Sequence, residues 1–260
     1  MVGQGQRAIL VKLVSLGILL FYGACAFPAV AAPAEHERSE AESSFEIEGI
    51  LLVGSDFRFR GVSLSDKGPV LQPEVTISHS SGVYLDFWGS NIAEYNGART
   101  EVDISLGYET ELGAASIDIG ITASLYPGGT DTDFIELYAL AEVNAGPGTI
   151  QLQAYYAPSQ ANIGGADNVY VGIAGRVPVS ATSITFHGSF GIEDGAFGDA
   201  KRDWMIGASA RLLGFDLCVR YVDSARTDHD PLARASAVFL LSRTFVFPKR
   251  SVEHTGCPSW

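Results

Sequence analysis

From Phe45 to about Phe245 apolar and polar residues alternate with a period of two. In the opening stretch the odd positions Phe45, Ile47, Leu51, Val53, Phe57 and Phe59 are apolar, and the even positions include Glu46, Glu48, Asp56, Arg58 and Arg60. A helix would scatter these side chains around its axis, whereas a strand sorts them onto two faces. Because the parity holds to Arg60, it predicts one strand with Phe57 and Phe59 on the apolar face and Arg58 and Arg60 on the polar one. The sorting recurs. Val83, Leu85 and Phe87 alternate with Tyr84, Asp86 and Trp88; Val102, Ile104, Leu106 and Tyr108 with Glu101, Asp103, Ser105 and Glu109. Ile117, Ile119 and Ile121 alternate with Ser116, Asp118 and Thr122, and Ile135, Leu137, Ala139 and Val143 with Glu136, Tyr138 and Glu142. The pattern predicts about twelve strands and almost no helix.

The connections alternate in length. "RGVSLSDKGP", "NIAEYNGART", "YPGGTDTD", "APSQANIGGADN", "EDGAFGDAKRD" and "DSARTDHDPLAR" are long; "SSG", "ELG", "NAGPG", "PVSA" and "LG" are short. An even strand number with short turns on one rim and long loops on the other is the pattern of an up-and-down outer-membrane β-barrel, with both termini on the short-turn rim. Its outer face meets lipid and its inner face is polar. No backbone group goes unpaired in hydrocarbon, so such a sheet must close. Alternation alone also fits a soluble sandwich or lipocalin-like barrel with the faces inverted. The loop pattern and the charge, Gly, Ser and Thr on one face favour the membrane, as do aromatic residues at the strand ends.

The N-terminus adds an export signal. Arg7 and Lys12 precede the apolar "LVSLGILLFYGACAF", and Ala29 to Ala31 form a small-x-small cleavage site, so residues 1–31 read as a secretory signal peptide. An uncleaved anchor and a lipoprotein attached at Cys25 are the alternatives. Residues 32–44 are polar and read as a flexible lead-in, 45–247 as the barrel and 248–260 as a C-terminal tail. Of 17 basic residues, loss of Arg7 and Lys12 leaves 15 against 30 acidic ones. That surplus makes nucleic acid and anionic surfaces poor partners. Cys218 and Cys257 remain in a compartment that permits disulfides, and neither has metal-ligand spacing.

The stretch "SDFRFRGVSLSDKGPVLQPEVTISHSSGVYLDFWGSN" resembles a family of proteobacterial proteins known as Gcw_chp and often labelled porins. The matching motifs are Ser55 to Ser63, Pro69 to Gln72, His79 to Tyr84 and Trp88 to Asn91, with "EVDISLGYETELG" from Glu101 also similar. The resemblance runs from about residue 45 to about residue 245, and it implies an exported outer-membrane barrel with no catalytic residue to carry over. Such proteins usually end on an aromatic residue that the barrel-assembly machinery reads. Here the chain continues past Phe245 to Trp260, which departs from that pattern.

The expected lumen-lining residues are Asp56, Arg58, Arg60, Asp86, Glu101, Asp103, Asp118, Glu136 and Glu142. Arg58 and Arg60 read either as a charged constriction or as structural partners of neighbouring carboxylates. The acidic surplus predicts preference for cations in an open lumen. Ser–His hydrolase chemistry at His79 or His187 rests only on Ser and Gly at a turn, or on His187 and Ser189 sharing a face. Loops Gly128–Asp133 and Asp223–Asp230 carry carboxylates without the spacing of a calcium loop. No catalytic residue, cofactor or metal is therefore expected. Cys218 lies on a polar face, and its pairing with Cys257 would fold the tail back into the lumen. The chain reads as a channel for small polar solutes or ions, resident in outer-membrane lipid. A closed barrel acting through its outer loops and a soluble periplasmic binder are the alternatives.

Overall fold

The computed structural model describes residues 44–248. The expected signal peptide, most of the lead-in and the tail beyond Pro248 lie outside that range. Fourteen strands follow one another: β1 Phe45–Gly54, β2 Arg58–Phe59, β3 Val62–Ser63, β4 Val70–His79, β5 Val83–Tyr95, β6 Ala98–Leu112 and β7 Ala115–Leu125. After them come β8 Phe134–Ala145, β9 Gly148–Ala157, β10 Asn168–Pro178, β11 Ile184–Gly195, β12 Gly198–Leu212, β13 Phe215–Ala225 and β14 Ser236–Phe247. Two single 3-10 turns, Ala161–Ile163 and Pro231–Ala233, are the helical elements among the described residues. Twelve strands close one antiparallel barrel in meander order, sealed by β1 pairing with both β4 and β14. The remaining two, β2 and β3, pair only with each other.

The barrel is apolar outside and polar inside. Leu152, Phe186 and Phe239 stand 58%, 56% and 58% exposed on the outer face, while Asn168 and Glu193 are fully enclosed. A continuous apolar belt of this kind has no favourable contact with water. It suits hydrocarbon, where closure also satisfies every ladder hydrogen bond. The barrel strands run 10 to 15 residues, enough for a tilted span of about 9–11 residues. Arg243 faces outward near the short-turn rim, its guanidinium 5.3 Å from the Phe215 ring centre and 5.4 Å from that of Phe245. A cation held between aromatic rings near a barrel rim fits an interfacial girdle. Leu152→Arg, in the middle of β9, should therefore destabilise the folded barrel by about 2–4 kcal/mol. Urea unfolding in lipid vesicles would read this, and an unchanged midpoint would mean that the belt does not face lipid.

The structure departs from the sequence pattern at two places. First, β1 stops at Gly54 rather than continuing to Arg60. Ser55 completes the ladder with β14, donating its backbone N–H to the Phe239 carbonyl at 2.9 Å while its Oγ accepts from the Phe239 N–H at 2.9 Å. The chain then turns into the barrel. Phe57 does not face lipid: it is buried beside Val70, Ile92, Ala98 and Tyr126, 5.2 Å from the Trp88 ring. Phe59 is half-buried against the same cluster. Second, two expected long loops are mostly strand. β5 and β6 run on to a tight Asn96–Gly97 turn, both residues at positive φ, and β11 and β12 run on to a turn at Ala196–Phe197. An Asn-Gly pair supplies the left-handed backbone that such hairpins require.

A loop hairpin across the lumen as the candidate functional site

Residues 55–69 form a loop that folds inward and carries the β2–β3 hairpin. Its tip, Arg60–Gly61, has φ of 46° and 86°, the left-handed pair of a two-residue type I′ turn. The Asp56 carboxylate organises the base of the loop. It accepts from Arg58 Nε at 2.6 Å, Ser63 Oγ at 2.6 Å and Ser65 Oγ at 2.9 Å. Ser65 Oγ also accepts from the Phe57 N–H at 3.0 Å. These bonds give Asp56, Arg58 and Ser63 their roles within the Ser-Asp-Phe-Arg-Phe-Arg-Gly-Val-Ser segment, with Ser65 just beyond it.

The tip is held by the opposite wall. Arg60 Nη1 donates to Glu136 Oε1 at 2.9 Å and to Glu193 Oε1 at 2.8 Å, and Nη2 donates to Glu136 Oε2 at 2.6 Å. The same guanidinium lies 4.6 Å from the Tyr155 ring centre and 4.5 Å from those of Tyr170 and Phe59. Glu193 is further bound by Lys201 and by Asn168 Nδ2 at 3.0 Å. Tyr170 donates its hydroxyl to Asp203 Oδ1 at 3.3 Å. Gly61 packs where a Cβ would lie 2.8 Å from the Cβ atoms of both Asp203 and Ser224. Arg58 Nη1 donates to the carbonyls of Gly61, Leu232 and Arg234 at 3.0, 2.8 and 3.1 Å, tying the hairpin to the last long loop. A cavity of about 110 Å³ lies against the hairpin, bordered by Gln72, Gln153, Ser189 and Arg220 among others.

Of the expected lining residues, Asp56 and Arg58 belong to the loop, and Arg60 meets Glu136 at its tip. The other five carboxylates lie on inward strand positions apart from that cluster. Tyr126 donates to Glu101 at 2.8 Å, and Thr76 to Asp86 at 2.7 Å. Asp118 accepts from Tyr84 at 2.9 Å, and Glu142 pairs with Arg176 at 2.6 Å. Asp103 sits two residues from Glu101 on the inward face of β6. The inward positions of β1 and β4–β8 are thus lined with carboxylates, while Arg176, Lys201, Arg211 and Arg220 project from β10, β12 and β13. Carboxylates concentrated on one side and cations on the other set a field across the lumen.

Sequence reasoning missed Glu193, Lys201 and Asp203, because residues 193–203 read as loop. Tyr155 and Tyr170 had the right parity but carried no charge to mark them. His187 Nε2 is 2.8 Å from Ser209 Oγ, not from Ser189, and His79 Nδ1 is 2.8 Å from Ser81 Oγ at an exposed turn. No carboxylate among the described residues lies within hydrogen-bond reach of either imidazole. In the two acidic loops Asp133 accepts from the Tyr126 N–H and Asp230 from the Leu232 N–H, so both carboxylates cap local turns. Cys218 is buried on the inward face of β13 and is disulfide-bonded. Cys257 lies outside the described residues.

The family described as "Bacterial protein of unknown function (Gcw_chp)" matches residues 38–249, and the chain belongs to that family. No curated protein matches. Among solved structures the KdgM porin superposes with a TM-score of 0.50 at 9% identity, over 77% of this chain and 98% of its own. The NanC porin gives 0.49 at 9% identity over 78% and 98%, and an outer-membrane channel from Pseudomonas putida F1 gives 0.45 at 10% over 84% and 100%. The fold is that of the outer-membrane porin barrels.

Proposed function

We propose that the chain is a passive, non-enzymatic outer-membrane channel for small polar solutes, with a preference for cations. The observation that carries this reading is the inside-out closed barrel whose inner wall is rich in carboxylates. Such a wall raises the local concentration of cations and repels anions. The loop hairpin narrows the passage and sets the size limit. The reading includes a cleaved signal over residues 1–31, insertion by the barrel-assembly machinery, and outer-membrane lipid around the apolar belt. A second reading is a closed barrel that acts through its outer loops. It is favoured by the hairpin's attachment to both sides of the wall. Swelling of liposomes that contain the folded protein, in sugars of graded size, separates the two. Influx of the smallest sugars with a sharp cut-off supports the channel, and no influx from inserted protein supports the closed barrel.

The same reading pairs Cys218 with Cys257 and brings the tail back into the lumen. Its support is the inward, disulfide-bonded Cys218; apart from Cys257 the only other cysteine is Cys25, in the leader. Unfolded, unreduced protein should then take up no alkylating reagent at either thiol, and full labelling of both would end this part of the proposal.

A further inference from the structure

Besides Phe59 of the hairpin itself, the four groups around the Arg60 guanidinium belong to the barrel wall, on four consecutive strands. Glu136 is on β8, Tyr155 on β9, Tyr170 on β10 and Glu193 on β11. Three of the four are also held by the wall itself. Glu193 is held by Lys201 and Asn168, and Tyr170 by Asp203. The Tyr155 and Tyr170 rings pack edge to face with centres 5.9 Å apart. A Cβ at Gly191 would collide with the Tyr170 ring, so the missing side chain there makes room for it against the wall. Arg60, by contrast, arrives on a hairpin whose two strands pair only with each other.

The wall therefore presents a receptor built for a planar cation. The two oxygens of Glu136 accept from Nη1 and Nη2 of one guanidinium, a second carboxylate accepts from Nη1 as well, and aromatic rings lie within 4.6 Å of its carbon. An ammonium group offers neither the planar fork nor a flat face for stacking. We propose that Glu136, Glu193, Tyr155 and Tyr170 form a binding site for guanidinium-bearing solutes, and that Arg60 is its internal ligand. The inference deepens the channel reading and rests on it only for the route by which a solute reaches the site. A solute that binds there takes the place of Arg60 and frees the hairpin tip. As a tethered competitor, Arg60 acts at an effective concentration in the millimolar range. The surplus of carboxylates in the lumen favours the incoming cation.

The test is chemical rescue of Arg60→Ala. The thermal midpoint of the folded barrel, read as the mobility shift on an unheated gel, is measured with methylguanidinium and with methylammonium at equal ionic strength. Methylguanidinium should raise the midpoint saturably, by on the order of 3 °C, and methylammonium should match a sodium control. Adding Glu136→Gln to Arg60→Ala should abolish the rise. Equal response to both cations, or a rise that survives Glu136→Gln, would overturn the proposal. Should Arg60→Ala not refold unaided, the same cations are present during refolding. Recovery of the folded band with methylguanidinium alone then supports the site, and recovery with neither overturns it. Melting requires no ion flow, so a failed rescue leaves the channel reading standing, and a failed swelling assay leaves the site standing.

Discussion

Arg60→Ala is expected to unseat the loop hairpin and raise single-channel conductance several-fold. The side chain makes three hydrogen bonds to two enclosed carboxylates and lies against three aromatic rings. Removing one partner of a buried ion pair leaves the other charge desolvated and unpaired, at a cost of about 3–5 kcal/mol. Here Glu136 loses its bidentate partner, while Glu193 keeps Lys201. The hairpin retains Asp56 and Arg58 at its base but loses its hold on the far wall. The folded barrel should therefore unfold at lower urea, and current steps in a planar bilayer should grow. Arg60→Lys should fall between, because a point charge replaces neither the fork nor the stacking surface. Unchanged steps in folded Arg60→Ala protein would show that the hairpin does not limit the passage.

Gly61→Val should have a comparable effect while leaving every charge in place. Gly61 has φ of 86° and faces Asp203 and Ser224 at a distance that admits no Cβ. The left-handed backbone costs a side-chain-bearing residue about 1–2 kcal/mol, and overpacking adds about 1–3 kcal/mol. The tip cannot stay seated under both penalties. Conductance should rise as in Arg60→Ala. Ion selectivity should differ between the two variants, since only Arg60→Ala removes a lumen cation. Identical selectivity in both would mean that Arg60 contributes nothing to the field in the passage.

The barrel was legible because its signal is local. A period of two places Asp86, Glu101, Asp103, Asp118, Glu136 and Glu142 on one face without knowledge of what that face meets, and alternating connections supply the rims. The hairpin was not legible, because the parity of Leu51 and Val53 is taken up again at Phe57 and Phe59 although the chain leaves the sheet after Gly54. A small hairpin sorts its own residues with the same period, so Phe57 and Phe59 looked like members of the lipid-facing row. The second half of the site was hidden by glycine. Gly195 and Gly198 flank the turn that ends β11 and begins β12, and together with Asp194 and Asp199 they imitate a long loop. Glu193 and Lys201 fell inside that apparent loop and so were not assigned to the lumen face. Contacts between Arg60 and Glu193, 133 residues apart, follow only from closure of the sheet.

The most direct test of the account is the current through refolded protein in a planar bilayer under a salt gradient. An inside-out barrel with a carboxylate-rich wall should give discrete steps, with a reversal potential on the cation-selective side. Anion selectivity, or silence from protein shown to be folded and inserted, would contradict it.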